Sequence, residues 1–130
     1  VGDYNLNGLT DILEFKPNHF IVIERTYQSD KGTQGNTINL FHTWIEKTST
    51  NTLAIKSLKK SDFIPLKKEL VFSFDVVKGQ LTEQTIDNIE GITLGPILEN
   101  GNQSIILISD DNFQLFGKQL NQFLLLEIKE

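Results

Sequence analysis

Apolar residues fall in short runs bounded by turn chemistry, and no helix-length apolar stripe occurs along the chain. The runs Leu9 to Phe15, Phe20 to Tyr27, Thr37 to Glu46, Ile89 to Leu98, Ser104 to Asp110 and Gln122 to Lys129 have the length and composition of strands. They are separated by Lys16-Pro17-Asn18, by the polar stretch 28–36 and by Glu99-Asn100-Gly101-Asn102. Proline presets φ in such turns, while asparagine and glycine tolerate positive φ. Leu66 to Phe74 reads two ways, because Lys67, Lys68 and Glu69 favour helix while Val71 to Phe74 alternates, and it is taken as a strand. The rest of the middle segment is where a short helix could lie.

The pattern then repeats. Gly8 to Leu13, a turn, and Phe20-Ile21-Val22-Ile23-Glu24-Arg25 correspond to Gly91 to Leu98, a turn, and Ile105-Ile106-Leu107-Ile108-Ser109-Asp110. Each unit holds a Gly-led strand, an apolar strand ending in charge, a loop and a third strand, over about 40 residues, which is the size of one propeller blade. The expectation is an all-β fold of antiparallel sheets. It has two β-propeller-like blades, at about 8–46 and 89–129, joined by a connecting segment at 47–88. Two unrelated hairpins that look alike are the alternative. The runs Phe20–Ile23, Ile105–Ile108 and Phe123–Leu126 do not alternate, so their strands should be covered on both faces, by a neighbouring blade or by flanking helices.

Composition narrows the function classes. With 130 residues the chain has the size of one ordinary domain, here 1–130 as a fragment of a longer propeller. It carries 17 acidic against 12 basic residues, net −5, with the lysines dispersed, so no nucleic-acid partner is expected. No apolar run approaches the roughly 18 residues of a membrane span. There is no cysteine, which removes thiolate chemistry, and no methionine, so with Val1 first the chain reads as a processed or excised piece.

Familiar catalytic motifs are missing: there is no GxSxG elbow, HExxH helix or phosphate-binding GxxxxGK loop, and His19 and His42 are the two histidines. Both read as ordinary surface or packed residues. Charge instead interrupts the apolar strands at their ends. Glu24-Arg25 closes one, Asp110-Asp111-Asn112 closes its counterpart, and Glu90-Gly91 opens the innermost strand of the second unit. If the units are blades, these groups share one rim near a channel mouth. Arg25 is the sole arginine, and its forked guanidinium suits phosphate or carboxylate, while clustered carboxylates suit calcium or acid–base work. The alternative is a structural ion pair of Arg25 with Glu24, Glu90 or Asp110. Separately, Asp3-x-Asn5-x-Asn7-Gly8 through Asp11 to Glu14 fits a calcium-loop spacing. Pro17 and the short lead-in exclude helices around it, which leaves a shorter calcium loop of Asp3, Asn5, Asn7 and Asp11, or a plain polar turn.

Several motifs taken together resemble the phytase-like family described as having esterase-like activity. They are Asn7 to Leu13, Phe20 to Arg25, Asn36 to Leu40, Asp87-Asn88-Ile89-Glu90-Gly91 through Pro96, Ser109 to Phe113 and Gln122 to Leu124. The resemblance covers nearly the whole chain. It implies the C-terminal part of a β-propeller, often exported to the periplasm or outside the cell, with hydrolysis of small phosphate esters. Carried over residue by residue, Glu24, Arg25 and Asp111 are catalytic candidates, Arg25 and Asn112 substrate-binding candidates, and Glu90, Asp110 and Asp87 metal candidates. Propeller phytases set Glu-Gly pairs around calcium ions, and Glu90-Gly91 is similar to such a pair, so calcium is the implied cofactor. The chain lacks the basic cluster that a highly charged phosphate substrate would want. The rival reading is a non-catalytic propeller that binds a ligand or protein through rim loops. Uncovered blade faces would also make the piece self-associate.

Overall fold

The computed structural model describes residues 2–115 and 117–129. Its first sheet is built from β1 (Asn5–Lys16), β2 (His19–Gln28), β3 (Asn36–Trp44) and β4 (Lys68–Ser73), in that order and antiparallel at every pairing. A tight turn joins β1 to β2. Asn18 takes φ 62 there, and its N–H is held by the Glu14 carboxylate at 2.8 Å, as expected for an asparagine beside proline. The second sheet is the meander β5 (Ile89–Ile97), β6 (Gln103–Ser109) and β7 (Phe123–Glu127). Gly101, at φ 86, closes its first turn.

The strands match the expected runs, with shifts at their ends: β1 starts at Asn5 rather than Leu9, and β3 stops at Trp44 rather than Glu46. The ambiguous segment at 66–74 is strand over Lys68–Ser73, and the helical content of the middle segment is limited to short 3₁₀ turns. No helix among the described residues is long and apolar enough to cross a membrane. The segment expected to wrap as a calcium loop is strand from Asn5 onward, so Asn5, Asn7 and Asp11 are spread along an extended backbone rising about 3.3 Å per residue. Asn7 accepts the Thr26 hydroxyl at 2.9 Å instead.

Alternation decides which residues face inward. In β2, His19, Ile21, Ile23, Arg25 and Tyr27 share one face, and the register sets Leu40 against Ile23, Ile38 against Arg25 and His42 against Ile21 on that same face. Ile21, Ile23, Ile38 and Leu40 pack there against Ile89, Ile105 and Leu107 of the second sheet, with Ile86 and Phe74 completing one core. The edges of the sheets are tied by the Ile92 N–H, which donates to Asp11 Oδ2 at 2.9 Å. Continuous apolar runs predicted cover on both faces. For Ile21, Val22 and Ile23 that is so, since all are buried. On the second sheet it is not: Ile108, Phe123 and Leu125 are 39%, 73% and 54% exposed on the face turned away from the core.

Candidate functional site

Beyond the core, at the Arg25 end of the inner face, the two sheets diverge into a cleft of about 450 Å³. One wall comes from the first sheet: Leu6 of β1, Arg25 and Tyr27 of β2, and Asn36 of β3. The loop at 28–35 folds over it, bringing Gly32 and Thr33 to the rim. That loop closes through Gln28 N–H to Gly35 O at 3.0 Å, and a Cβ on Gly35 would lie 2.2 Å from the Gln28 carbonyl oxygen. Only glycine allows that approach.

The other wall is the approach to β5 and the loop after β6. Thr85 to Asn88 are buried without belonging to a strand, so their backbone needs other partners. Gln122 supplies two: its Oε1 accepts the Asp87 N–H at 2.9 Å and its Nε2 donates to Thr85 O at 3.0 Å. The buried Asp87 carboxylate is used in the same way. Oδ1 takes the Asn88 N–H at 2.8 Å and Gln119 Nε2 at 3.3 Å, and Oδ2 takes the Leu120 N–H at 2.7 Å. Those N–H groups stabilise its charge and fix the loop that carries Lys118 and Gln119 to the cleft.

Glu90 sits at a register break of β5, between Ile89 and Gly91, and such bulges re-aim a side chain. Its carboxylate lines the cleft, accepts a hydrogen bond from Asn88 Nδ2, and stands 4.0 Å from Arg25 Nη1. Asn88 is 7% exposed, and its Oδ1 is buried with no hydrogen-bond partner among the described residues. An unpaired buried amide oxygen costs about 1–3 kcal/mol, so a group that donates to it is worth seeking. Asn112 reaches the cleft from a turn in which Asn112, Phe113 and Gln114 take φ 48, 55 and 59. Three successive non-glycine residues in the left-handed region store strain beside the site.

The structure thus brings together Arg25, Asp87, Glu90 and Asn112 of the expected residues. It places Glu24 on the opposite face of β2, in an ion pair with Lys68 of β4. Asp111 caps its own turn, with Oδ1 accepting the Phe113 N–H at 3.1 Å and Oδ2 accepting Gln114 Nε2 at 2.9 Å. Asp110 is exposed, and its carbonyl accepts from Asn112 Nδ2 at 3.4 Å. Residues that sequence reasoning passed over also line the cleft: Asn88, Tyr4, Tyr27, Lys118 and Gln119. Asn88 lay in plain sight between Asp87 and Glu90, whereas Lys118 and Gln119 sit in a loop whose composition carries no signal.

The donor chemistry does not fit a calcium ion held by this chain's residues as they stand. Among the described residues no three His, Asp or Glu side chains converge on one point. Calcium takes six to eight oxygens, whereas Asp87 already accepts three N–H groups and Glu90 faces a guanidinium.

A family model described as phytase-like, esterase-like activity of phytase, matches residues 2–113. No curated protein and no solved structure matches the chain. The matched stretch holds the first sheet, β5, β6 and the cleft residues Arg25, Asn88, Glu90 and Asn112, while Lys118, Gln119 and β7 lie beyond it. Covering most of the sequence, it makes the chain a member of the phytase-like family.

Proposed function

We propose that the cleft binds a small phosphate monoester and that ester hydrolysis, the activity in the family's description, takes place there. The observation that carries this reading is Arg25. It is the chain's one arginine, it lines a cleft of small-molecule size, and its 4.0 Å approach to Glu90 is too long for a hydrogen bond. Its planar fork is therefore free to donate two hydrogen bonds to phosphoryl oxygens. Asn112 is the second group for the phosphate, and Asn88 Oδ1 accepts from a hydroxyl of the ester. Glu90 is the carboxylate placed to take a proton from an attacking water.

The test is titration of p-nitrophenyl phosphate into the full chain, followed by a hydrolysis assay with calcium and with EDTA. Arg25→Ala should weaken binding at least about tenfold, the loss of one charged bidentate contact. Unchanged binding removes Arg25 from the site. Turnover that requires calcium supports the metal-assisted form expected from the resemblance and overturns the misfit of Asp110, Asp87 and Glu90 to that ion argued above. Calcium-independent turnover removes that form.

A second reading is favoured by Asp87, whose carboxylate is saturated by three N–H donors and so serves structure rather than proton transfer. On that reading the cleft binds its ligand without chemistry, and Arg25-dependent binding with no turnover identifies it. The open face bearing Ile108, Phe123 and Leu125 supports the self-association expected from the sequence, with a second copy covering it. Sedimentation showing only monomer at high concentration removes that expectation.

A further inference from the structure

The strand register sets a row of side chains across the cleft. Tyr27 of β2 lies opposite Leu6 of β1 and opposite Asn36 of β3, and all three line the cleft on the face that carries Arg25. The Tyr27 ring is held from two sides. Gly35 lies so close that a Cβ there would come within 3.0 Å of Tyr27 Cε2, and the Tyr4 ring stands 6.2 Å away, centroid to centroid, at 55°. Tyr4 is itself tied to the loop at 28–35: its N–H donates to Ser29 Oγ at 2.8 Å and its carbonyl accepts the Ser29 N–H at 3.0 Å. Leu6, Tyr4 and Tyr27 thus make an apolar corner, and Asn36 sets an amide beside it.

Asn36 is 8% exposed, and its side chain makes no hydrogen bond among the described residues. Buried amides are ordinarily paired. At the far end of the same face that rule holds, where His19 Nδ1 and His42 Nε2 meet at 2.9 Å and satisfy each other. In the cleft the Asn36 amide keeps an N–H donor and a carbonyl acceptor side by side. That pair matches the adjacent acceptor and donor on the edge of an adenine ring.

We propose, on the phosphate reading of Arg25, that Tyr27 and Asn36 form a base subsite and that the ester taken by the cleft is a nucleoside monophosphate with an adenine-type base. The base stacks on the Tyr27 ring in the corner closed by Tyr4 and Leu6, and its edge pairs with the Asn36 amide. Arg25 and Tyr27 are two residues apart on one strand face, about 7 Å. The length of the arginine side chain adds to that reach and leaves a place for the ribose between base and phosphate. Arg25 and Lys118 are the cations that line the cleft, and Lys118 is paired with Glu83 at 2.7 Å, which suits one phosphate rather than a polynucleotide backbone.

The experiment is isothermal titration of the full chain with AMP and with ribose 5-phosphate, which share the sugar and the phosphate and differ in the base. AMP should bind at least about tenfold more tightly, the contribution of one stacked base. Tyr27→Leu and Asn36→Ala should each shrink that advantage, whereas Arg25→Ala should weaken both ligands alike and preserve their ratio. The wild-type ratio needs no variant, so a folding defect in one of them leaves the test intact. Equal affinity for the two ligands overturns the base subsite and keeps the phosphate reading. AMP binding that survives Arg25→Ala but is lost in Tyr27→Leu keeps the base subsite and overturns the phosphate reading. An AMP advantage that Tyr27→Leu and Asn36→Ala both retain overturns the assignment to these residues, and binding of neither ligand overturns both readings.

Discussion

One face of β2 carries both ends of this molecule's polar chemistry, and the two ends differ in how far the protein satisfies itself. His19 and Arg25 are six residues apart on the same face, about 20 Å along an extended strand, with Ile21 and Ile23 in the core between them. At the His19 end, each imidazole has its partner and aromatic rings close around the pair. At the Arg25 end the guanidinium has a loose neighbour, Asn88 keeps a buried oxygen without one among the described residues, and the walls part into a cleft. The same β-alternation made both. Where the facing loops close, polar groups pair with each other; where they diverge, polar groups are left for something else to meet.

The comparison breaks most severely if the shared core is opened. Ile23 is fully buried between the two ends, so Ile23→Ala should cost about 2–5 kcal/mol in urea denaturation and disturb the histidine pair and the cleft together. A loss confined to one end would show that the ends do not share a core. Asp87→Ala tests the cleft wall alone: removing the acceptor of two backbone N–H groups should cost about 1–3 kcal/mol and lower ligand affinity while leaving the histidine pair untouched. Arg25→Ala should separate function from stability. Its ion pair is long and partly exposed, so the unfolding free energy should move by no more than about 0.5 kcal/mol while phosphate-ester binding falls.

A smaller effect belongs to pH. The folded pKa of His42 lies below 6.5, chiefly through burial, so as pH falls the unfolded chain takes up that proton first. Stability from this group is therefore complete above about pH 6.5 and declines below it, and His42→Gln should flatten that part of a melting-temperature profile. The smallest effect is expected from Glu24→Gln, because an exposed pair with Lys68 contributes at most about 1 kcal/mol and lies off the cleft. A loss of ligand binding in that variant would return Glu24 to the site.

Much of the fold was legible because strand and turn signals are local. The apolar runs, Pro17-Asn18 and Asn100-Gly101 located the hairpins, and the positions of Arg25, Glu90 and Asn112 near strand ends pointed to a common rim. Strand alternation also held the separation of Glu24 from Arg25, since adjacent residues point to opposite faces, but the sequence reading grouped the two at one rim. What was hidden depends on distant partners. His19 and His42 are separated by a turn and most of two strands, and either alone reads as an ordinary histidine. Asn88 becomes conspicuous only when its surroundings leave its oxygen unpaired.

By itself the sequence determined an all-β chain with two antiparallel hairpin units, because alternation, apolar runs and turn residues act within a few positions of one another. The tertiary structure decided which faces met and where they parted. The bulges at Leu9–Asp11 and Ile89–Gly91, the Asp11–Ile92 tie and the Gln122 clamp join residues far apart in the chain. A one-residue shift in any of those registers turns a side chain from core to solvent, and that choice is made by packing rather than by local pattern.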